Sequence, residues 1–108
     1  MRISEAQSLI RETYHERDAE RGIPLTALHL VEELGEFLEA IRRGKDSELR
    51  AEAADVLAWL LSVVDLLELD LELAFIERYG SGCPRCKSKP CKCPPLPTGR
   101  WSIGVPDR

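Results

Sequence analysis

The sequence lacks an apolar run behind a basic N-terminal start, and it lacks any apolar stretch long enough to cross a bilayer. The longest stretch, Val56–Leu67, is interrupted by Ser62 and Asp65 and falls short of the roughly 20 residues that a spanning helix needs. We therefore expect a cytoplasmic protein without a signal peptide or a membrane partner. At 108 residues, the chain is also too short for two ordinary domains.

Basic residues are scarce over most of the chain. Residues 1–80 carry nine Lys or Arg against eighteen Asp or Glu, whereas residues 81–108 carry six against one. Proteins that bind nucleic-acid polymers usually present a basic surface, so the acidic body argues against such a partner. The change in composition divides the chain into a domain, 1–80, and a Pro-rich tail, 81–108.

Apolar residues recur at helical spacing in four segments of the domain, which predicts an all-α, four-helix bundle. The polar second half of the first helix is expected to be solvated. Ser4 is the expected first cap, in a capping box with Gln7. The expected helices are 4–20, 25–43 (ended by Gly44), 46–68 (capped by Asp46 or Ser47) and 71–79 (capped by Asp70).

The third helix is apolar on nearly every side from Ala53 onward. A helix of that kind is buried on more than one face, and a short chain offers little protein to cover it. We therefore expect this helix to lie at a subunit interface, most simply in a symmetric dimer. Gly35, inside the second helix, is expected to mark the close approach of another helix or a ligand.

Two carboxylate pairs, Glu33/Glu36 and Glu52/Asp55, have partners three residues apart, which places each pair on one helix face. The second pair is expected to be enclosed by apolar side chains. Buried carboxylates need a partner, and hard cations such as Mg²⁺ take oxygen ligands. The alternatives are a solvated acidic face, which suits Glu32 and Glu39, and salt bridges to Arg42, Arg43 or Arg50.

The segments LVEELGEFLEAI and ELRAEAADVLAWLL together resemble the MazG-like superfamily of all-α nucleoside triphosphate pyrophosphohydrolases. The superfamily carries an EExxE motif on one helix and ExxD on the next. The resemblance covers about residues 1–80 and implies a helical bundle that forms dimers or tetramers. The matching residues are Glu32, Glu33, Glu36, Glu52 and Asp55.

The resemblance implies Mg²⁺-dependent hydrolysis of an NTP or dNTP between the α- and β-phosphates, which clears surplus or non-canonical nucleotides. Carried over by position, Glu33, Glu36, Glu52 and Asp55 would be the Mg²⁺ ligands, and Glu32 or Glu36 would orient or deprotonate the water. One alternative is phosphoribosyl-ATP pyrophosphohydrolase, which shares the carboxylate pattern. Another, from a different class, is a non-catalytic helical module that binds zinc and docks a partner.

Candidate substrate-binding residues lie near these motifs. Trp59 is one turn after Asp55 and is either a core residue or a platform for the base. His29 is one turn before Glu33 and is either a polar helix residue or a ligand. Positive charge for the phosphates could come from residues that are otherwise ordinary surface cations, namely Arg42, Arg43, Lys45 and Arg78.

All four cysteines, Cys83, Cys86, Cys91 and Cys93, fall within eleven residues of the tail. In a cytoplasmic protein, such clustering favours a metal site over disulfides, and four thiolates complete a structural zinc site. Redox-active or disulfide-bonded cysteines are the alternative. The zinc site could hold the tail against the bundle, with Trp101 as an apolar anchor.

Overall fold

The computed structural model describes residues 1–95, and this part of the chain is helical without any β-strand. The all-α prediction is therefore confirmed. None of the described helices is both long and apolar enough to span a membrane. Trp101 and its expected anchoring role lie outside the described residues. The helices are α1 (Ile3–Arg21), α2 (Ile23–Arg43), α3 (Asp46–Leu66) and α4 (Leu71–Tyr79).

Helix α3 is the centre of the bundle, because it packs against both α1 and α2, while α4 packs against α1. Neighbours within the chain therefore cover much of the apolar surface that suggested a subunit interface on α3. The larger exposed apolar surfaces lie on two other helices. They comprise Leu25, Leu28, Val31, Leu34 and Leu38 of α2, and Leu73, Phe75, Ile76 and Tyr79 of α4.

Gly35 lies in the middle of the exposed apolar surface of α2. A Cβ atom added there would have no other group within 4 Å among the described residues. No helix of the described part of the chain approaches Gly35 this closely, so the expected approach of another helix or a ligand stays a prediction. The space beside it is open to a ligand or to a second chain.

The start of α1 differs from the sequence prediction. Arg2 is the cap residue, and the Glu5 side chain accepts a hydrogen bond of 3.1 Å from its backbone N–H. Ser4 is thus inside the helix, where its hydroxyl faces Glu72 of α4 at 3.4 Å. The amide of Gln7, which was expected in a capping box, bonds the backbone at the start of α4 instead.

The second half of α1 was expected to be solvated, and this holds for Glu16, Arg17, Ala19 and Glu20 but is wrong for Asp18, which belongs to the polar core of the bundle. Asp65 of α3 is 5% exposed and lies 2.6 Å from both Arg11 Nη1 and His15 Nδ1. Asp18 is 2% exposed and accepts a 2.9 Å hydrogen bond from Arg21 Nη1. Burial of these carboxylates is tolerated because cations pair with them.

The remaining helix ends agree closely with the predicted caps. Gly44 has a left-handed backbone (φ +74°) and ends α2, and Asp70 accepts a 3.0 Å hydrogen bond from the N–H of Leu73 at the start of α4. The cap of α3 is wrong by one residue. Lys45 takes that position, and the carboxylate of Asp46 instead pairs with Arg50 at 2.9 Å.

Candidate functional site

Three carboxylates from adjacent helices converge on one point. Glu33 and Glu36 of α2 and Glu52 of α3 each place an oxygen within 4.8 Å of the other two. Glu33 and Glu52 are half-buried, whereas Glu36 is exposed. The helices bring them together because α2 and α3 are consecutive, turn sharply at Gly44, and pack along each other.

This cluster is electrostatically unfavourable on its own. Oε2 of Glu33 and Oε2 of Glu52 are buried and have no hydrogen-bond partner among the described residues. Burial raises the pKa of Glu33 to about 7, with further contributions from the neighbouring Glu52 carboxyl and from the charges of Glu36 and Asp55. A proton or another cation is therefore needed to neutralise the cluster.

Salt bridges do not supply that cation within residues 1–95. Arg42 and Arg43 pair with Glu39, and Arg50 pairs with Asp46. None of the ion pairs in the described part of the chain includes a carboxylate of the cluster. The salt-bridge interpretation of Glu33 and Glu52 is therefore excluded for these residues.

The donor set of the cluster suits a hard divalent cation. Mg²⁺ takes oxygen ligands at about 2.0–2.1 Å, so two oxygens on one ion lie no more than about 4 Å apart. The observed spread of up to 4.8 Å would close to this value with small side-chain rotations. The two buried oxygens without partners, on Glu33 and Glu52, are where such an ion would bind.

Asp55 occupies a different position from the one expected. It is exposed, and its oxygens are not among the three that converge. Its charge nevertheless reaches Glu33, whose pKa it helps to raise. The structure thus places Asp55 at the rim of the cluster, and Glu33 with Glu52 takes the enclosed position that was expected of Glu52 with Asp55.

A cavity of about 190 Å³ adjoins Asp55 between α1 and α3. Trp59 forms part of its wall and stacks on His29, with ring centroids 4.7 Å apart and planes at 20°. The guanidinium of Arg21 lies 4.9 Å from the centroid of the same ring. The full lining comprises Tyr14, Arg17, Asp18, Arg21, Asp55, Ala58, Trp59 and Ser62.

Sequence reasoning missed the contribution of α1 to this cavity. Tyr14, Asp18 and Arg21 all line it, and Asp18 Oδ2 is buried without a hydrogen-bond partner among the described residues. The available signal was the spacing of Tyr14, Asp18 and Arg21, four and then three residues apart. That spacing places the three side chains on one face of a helix.

The other candidate residues are not gathered at the cluster. Glu32 is 60% exposed and lies 3.3 Å from His29 Nδ1. Arg42 is held by Glu39. Lys45 is exposed at the turn between α2 and α3. Of these residues, His29 alone has a described contact with the cavity wall, through Trp59.

The four cysteines of the tail form a second cluster beyond α4. Their sulfur atoms all lie within 4.8 Å of one another, and all four thiols are free. A backbone hydrogen bond from Lys92 is the main reason that the pKa of Cys86 is lowered to about 6. Thiolate ligands in this arrangement suit a soft or borderline metal ion rather than Mg²⁺.

Fold and site together define a class: an all-α bundle whose paired helices bring three carboxylates together. The MazG nucleotide pyrophosphohydrolase domain matches residues 22–85, which is more than half of the chain, and the protein belongs to that family. The match includes α2, α3, α4 and the carboxylate cluster, and it ends before Cys86. A comparison with curated proteins gave no match.

Proposed function

We propose that the protein is a magnesium-dependent pyrophosphohydrolase that acts on a nucleoside or deoxynucleoside triphosphate. It would cleave between the α- and β-phosphates to give a nucleoside monophosphate and pyrophosphate, and so clear surplus or non-canonical nucleotides. The observation that carries the proposal is the convergence of Glu33, Glu36 and Glu52, with two buried oxygens that have no partner, inside a domain of this family.

The cluster would hold Mg²⁺ through Glu33, Glu36 and Glu52, with Asp55 at the rim. When bound, the ion would neutralise phosphate charge and make water more acidic. Glu33 would release its proton on binding, because its pKa of about 7 reflects a cluster that lacks a cation. The reaction adds water across one P–O–P bridge, and that bridge breaks between the two phosphates.

The water would be oriented and deprotonated by Glu32 or Glu36. Glu36 lies in the cluster, whereas Glu32 lies outside it and interacts with His29. Glu36→Gln should therefore weaken Mg²⁺ binding, whether or not it lowers kcat. Glu32→Gln should leave Mg²⁺ binding unchanged, and a large fall in its kcat would identify Glu32 as the base.

The nucleoside would lie in the cavity between α1 and α3. This cavity reaches Asp55, so a base placed there is next to the metal cluster. Trp59 offers an aromatic wall, and stacking of this kind accepts any base. Asp18, with a buried oxygen that lacks a partner, could accept a hydrogen bond from a base or sugar. Arg21 would supply positive charge in place of Arg42.

The protein would act as a homodimer or homotetramer that uses the exposed apolar surface of α2. Leu28, Val31, Gly35 and Leu38 follow one another at spacings of three and four residues, so they form one stripe. The small Gly35 would let a second helix approach closely. Val31→Lys should shift the protein to monomers in analytical ultracentrifugation. Ser8→Lys, at an exposed position of α1 away from this stripe, should not.

The enzyme assignment is tested by pyrophosphate release from a panel of NTPs, dNTPs and phosphoribosyl-ATP with Mg²⁺. Glu52→Gln should lower kcat/KM by about 100-fold or more, because a lost ligand forfeits several kcal/mol of transition-state stabilisation. Glu39→Gln is the matched control, since Glu39 is on α2 but is paired with Arg42 and Arg43.

The outcomes of this panel distinguish a triphosphate pyrophosphohydrolase from the two alternative functions. Release from phosphoribosyl-ATP alone would favour the alternative of a phosphoribosyl-ATP pyrophosphohydrolase. No release from any substrate, or equal release by Glu52→Gln and the native protein, would contradict the enzyme assignment and favour a non-catalytic module.

A further inference from the structure

We propose that Cys83, Cys86, Cys91 and Cys93 bind one zinc ion, and that this ion holds the fold of the segment after α4. This site is separate from the carboxylate cluster in position and in ligand chemistry. It does not depend on the proposed hydrolysis. Four features of residues 81–95 support the site: the sulfur geometry, the backbone hydrogen bonds, the positive charge, and the lack of helix or strand.

The sulfur positions match a tetrahedral site. With Zn–S bonds of about 2.3 Å, the sulfurs at the corners of a tetrahedron lie about 3.8 Å apart. The Cys83 and Cys93 sulfurs are 3.8 Å apart, and those of Cys86 and Cys91 are 3.9 Å apart. A disulfide would require about 2.05 Å. Two of the sulfur pairs thus lie at the separation of a tetrahedral zinc site, and all four sulfurs lie within 4.8 Å of one another.

Backbone turns hold the cysteines in this arrangement. The N–H of Lys87 donates to the carbonyl of Cys83 at 2.7 Å, and the N–H of Cys83 donates to the carbonyl of Ser88 at 3.0 Å. Gly82 makes the second contact possible. Its φ is +98°, and a Cβ there would lie 2.6 Å from the Ser88 oxygen. A bulkier residue at position 82 would therefore displace the first cysteine.

Backbone N–H groups also point at the sulfur atoms. Lys92 N lies 3.3 Å from Cys86 Sγ, and Cys93 N lies 3.4 Å from Cys91 Sγ. Hydrogen bonds to sulfur favour the thiolate form, which is the form that ligates metal. Lys92 thus donates from the second half of the loop to a ligand of the first half, and Cys93 donates to a ligand within the second half.

The charge of the segment suits a zinc–thiolate centre. Four thiolates around Zn²⁺ carry a net charge of −2, and residues 81–95 contain no Asp or Glu. The basic residues of this segment are Arg85, Lys87, Lys89 and Lys92. Their positive charges offset the centre, whereas without a metal they would only repel one another.

The metal is assigned a structural role. Four protein ligands fill a tetrahedral zinc site and leave no open position for substrate, so the centre is not catalytic. Residues 81–95 contain neither helix nor strand, and Cys91 is exposed. Such a segment cannot bury enough apolar surface to offset its loss of conformational entropy. Metal–ligand bonds would provide that stabilisation, as they do in small zinc-dependent folds.

The test is metal analysis of the purified full-length chain by native mass spectrometry and elemental analysis. One zinc per chain is expected in the native protein and in Ser81→Ala, a control outside the cluster. Cys86→Ser and Cys91→Ser should each lose most of the zinc. Replacement of zinc by Co²⁺ should give the visible absorption of a tetrahedral thiolate site in the native protein and in Ser81→Ala, but in neither cysteine variant.

A second measurement examines the role of the ion. Removal of zinc should expose four reactive thiols and abolish amide protection in residues 83–93, while the helical circular dichroism of α1–α4 is retained. Absence of zinc, its replacement by iron, or a disulfide in the native protein would overturn the proposal. Glu52→Gln should keep its zinc, so failure of the hydrolase assignment and failure of this one are distinguishable.

Discussion

Glu52→Gln should stabilise the metal-free protein even though it removes a proposed metal ligand. In the folded chain, the pKa of Glu33 rises from 4.5 to about 7, and the neighbouring Glu52 carboxyl contributes to that rise. Each pKa unit corresponds to about 1.4 kcal/mol. Because Glu33 is only half-buried, solvent screens part of this effect, and the ionised Glu33 is destabilised by less than the roughly 3 kcal/mol that the whole rise would represent.

The pH dependence follows from the direction of this shift. Between pH 4.5 and about 7, the folded state keeps a proton on Glu33 that the unfolded state releases. The free energy of unfolding therefore falls as pH rises through this window. Replacement of Glu52 by Gln removes one of several causes, so we expect a gain of about 1 kcal/mol at pH 8, or roughly 4–8 °C in Tm, and little change at pH 5.

The assay is thermal unfolding in EDTA and in Mg²⁺ at both pH values. In EDTA at pH 8, Glu52→Gln should melt above the native protein, and added Mg²⁺ should raise the Tm of the native protein but hardly that of the variant. Glu39→Gln should respond to Mg²⁺ as the native protein does. A lower Tm for Glu52→Gln in EDTA at pH 8 would refute the reasoning, because it would mean that Glu52 has a stabilising partner.

Three further outcomes follow from other parts of the structure. Asp65→Ala should lower the free energy of unfolding by about 2 kcal/mol in urea denaturation. The loss is smaller than for a fully buried ion pair, because the Arg11 side chain that pairs with Asp65 is 56% exposed. An unchanged free energy of unfolding would mean that the Arg11–Asp65 pair is not stabilising. Trp59→Ala should raise the KM for a triphosphate about tenfold in the pyrophosphate assay, because stacking is worth about 1–3 kcal/mol per base. An unchanged KM would mean that the base does not bind in the cavity beside Trp59. Gly82→Ala should speed zinc release to a chelator, because its Cβ would collide with Ser88; an unchanged rate would show that the loop does not need this turn.

Local signals explain which parts of the fold were predictable from sequence. Gly44 and Asp70 end and begin helices through contacts with residues three or four positions away, so sequence spacing was sufficient. Ser4 failed as a cap because the helix begins earlier, with Glu5 accepting from the N–H of Arg2, and because Glu72 of α4 competes for the N–H and hydroxyl of Ser4. That competition involves a helix about seventy residues away, which local spacing does not reveal.

The carboxylate cluster was predictable in composition but not in geometry. Spacing placed Glu33 with Glu36, and Glu52 with Asp55, on common helix faces. Which members would meet depends on how α2 and α3 are aligned along each other, and no single-helix projection contains that information. The structure pairs Glu33 with Glu52 and leaves Asp55 at the rim.

The cavity beside Trp59 was likewise not predictable from the sequence of a single helix. Its α1 wall is polar in sequence, and polar helix faces are usually solvated. Here Asp18 and Arg21 pair with each other, and that pairing allows Asp18 to be buried against α3. A pair of opposite charges three residues apart on a helix was the only local sign of this arrangement.

The most direct test of the central claim is ³¹P NMR of the products formed from a nucleoside triphosphate, the native protein and Mg²⁺. Hydrolysis at the carboxylate cluster predicts the signals of a nucleoside monophosphate and pyrophosphate in equal amounts, absent when EDTA replaces Mg²⁺. A nucleoside diphosphate with inorganic phosphate, or products that form equally well with Glu52→Gln, would contradict the assignment of Glu33, Glu36 and Glu52 as the active site.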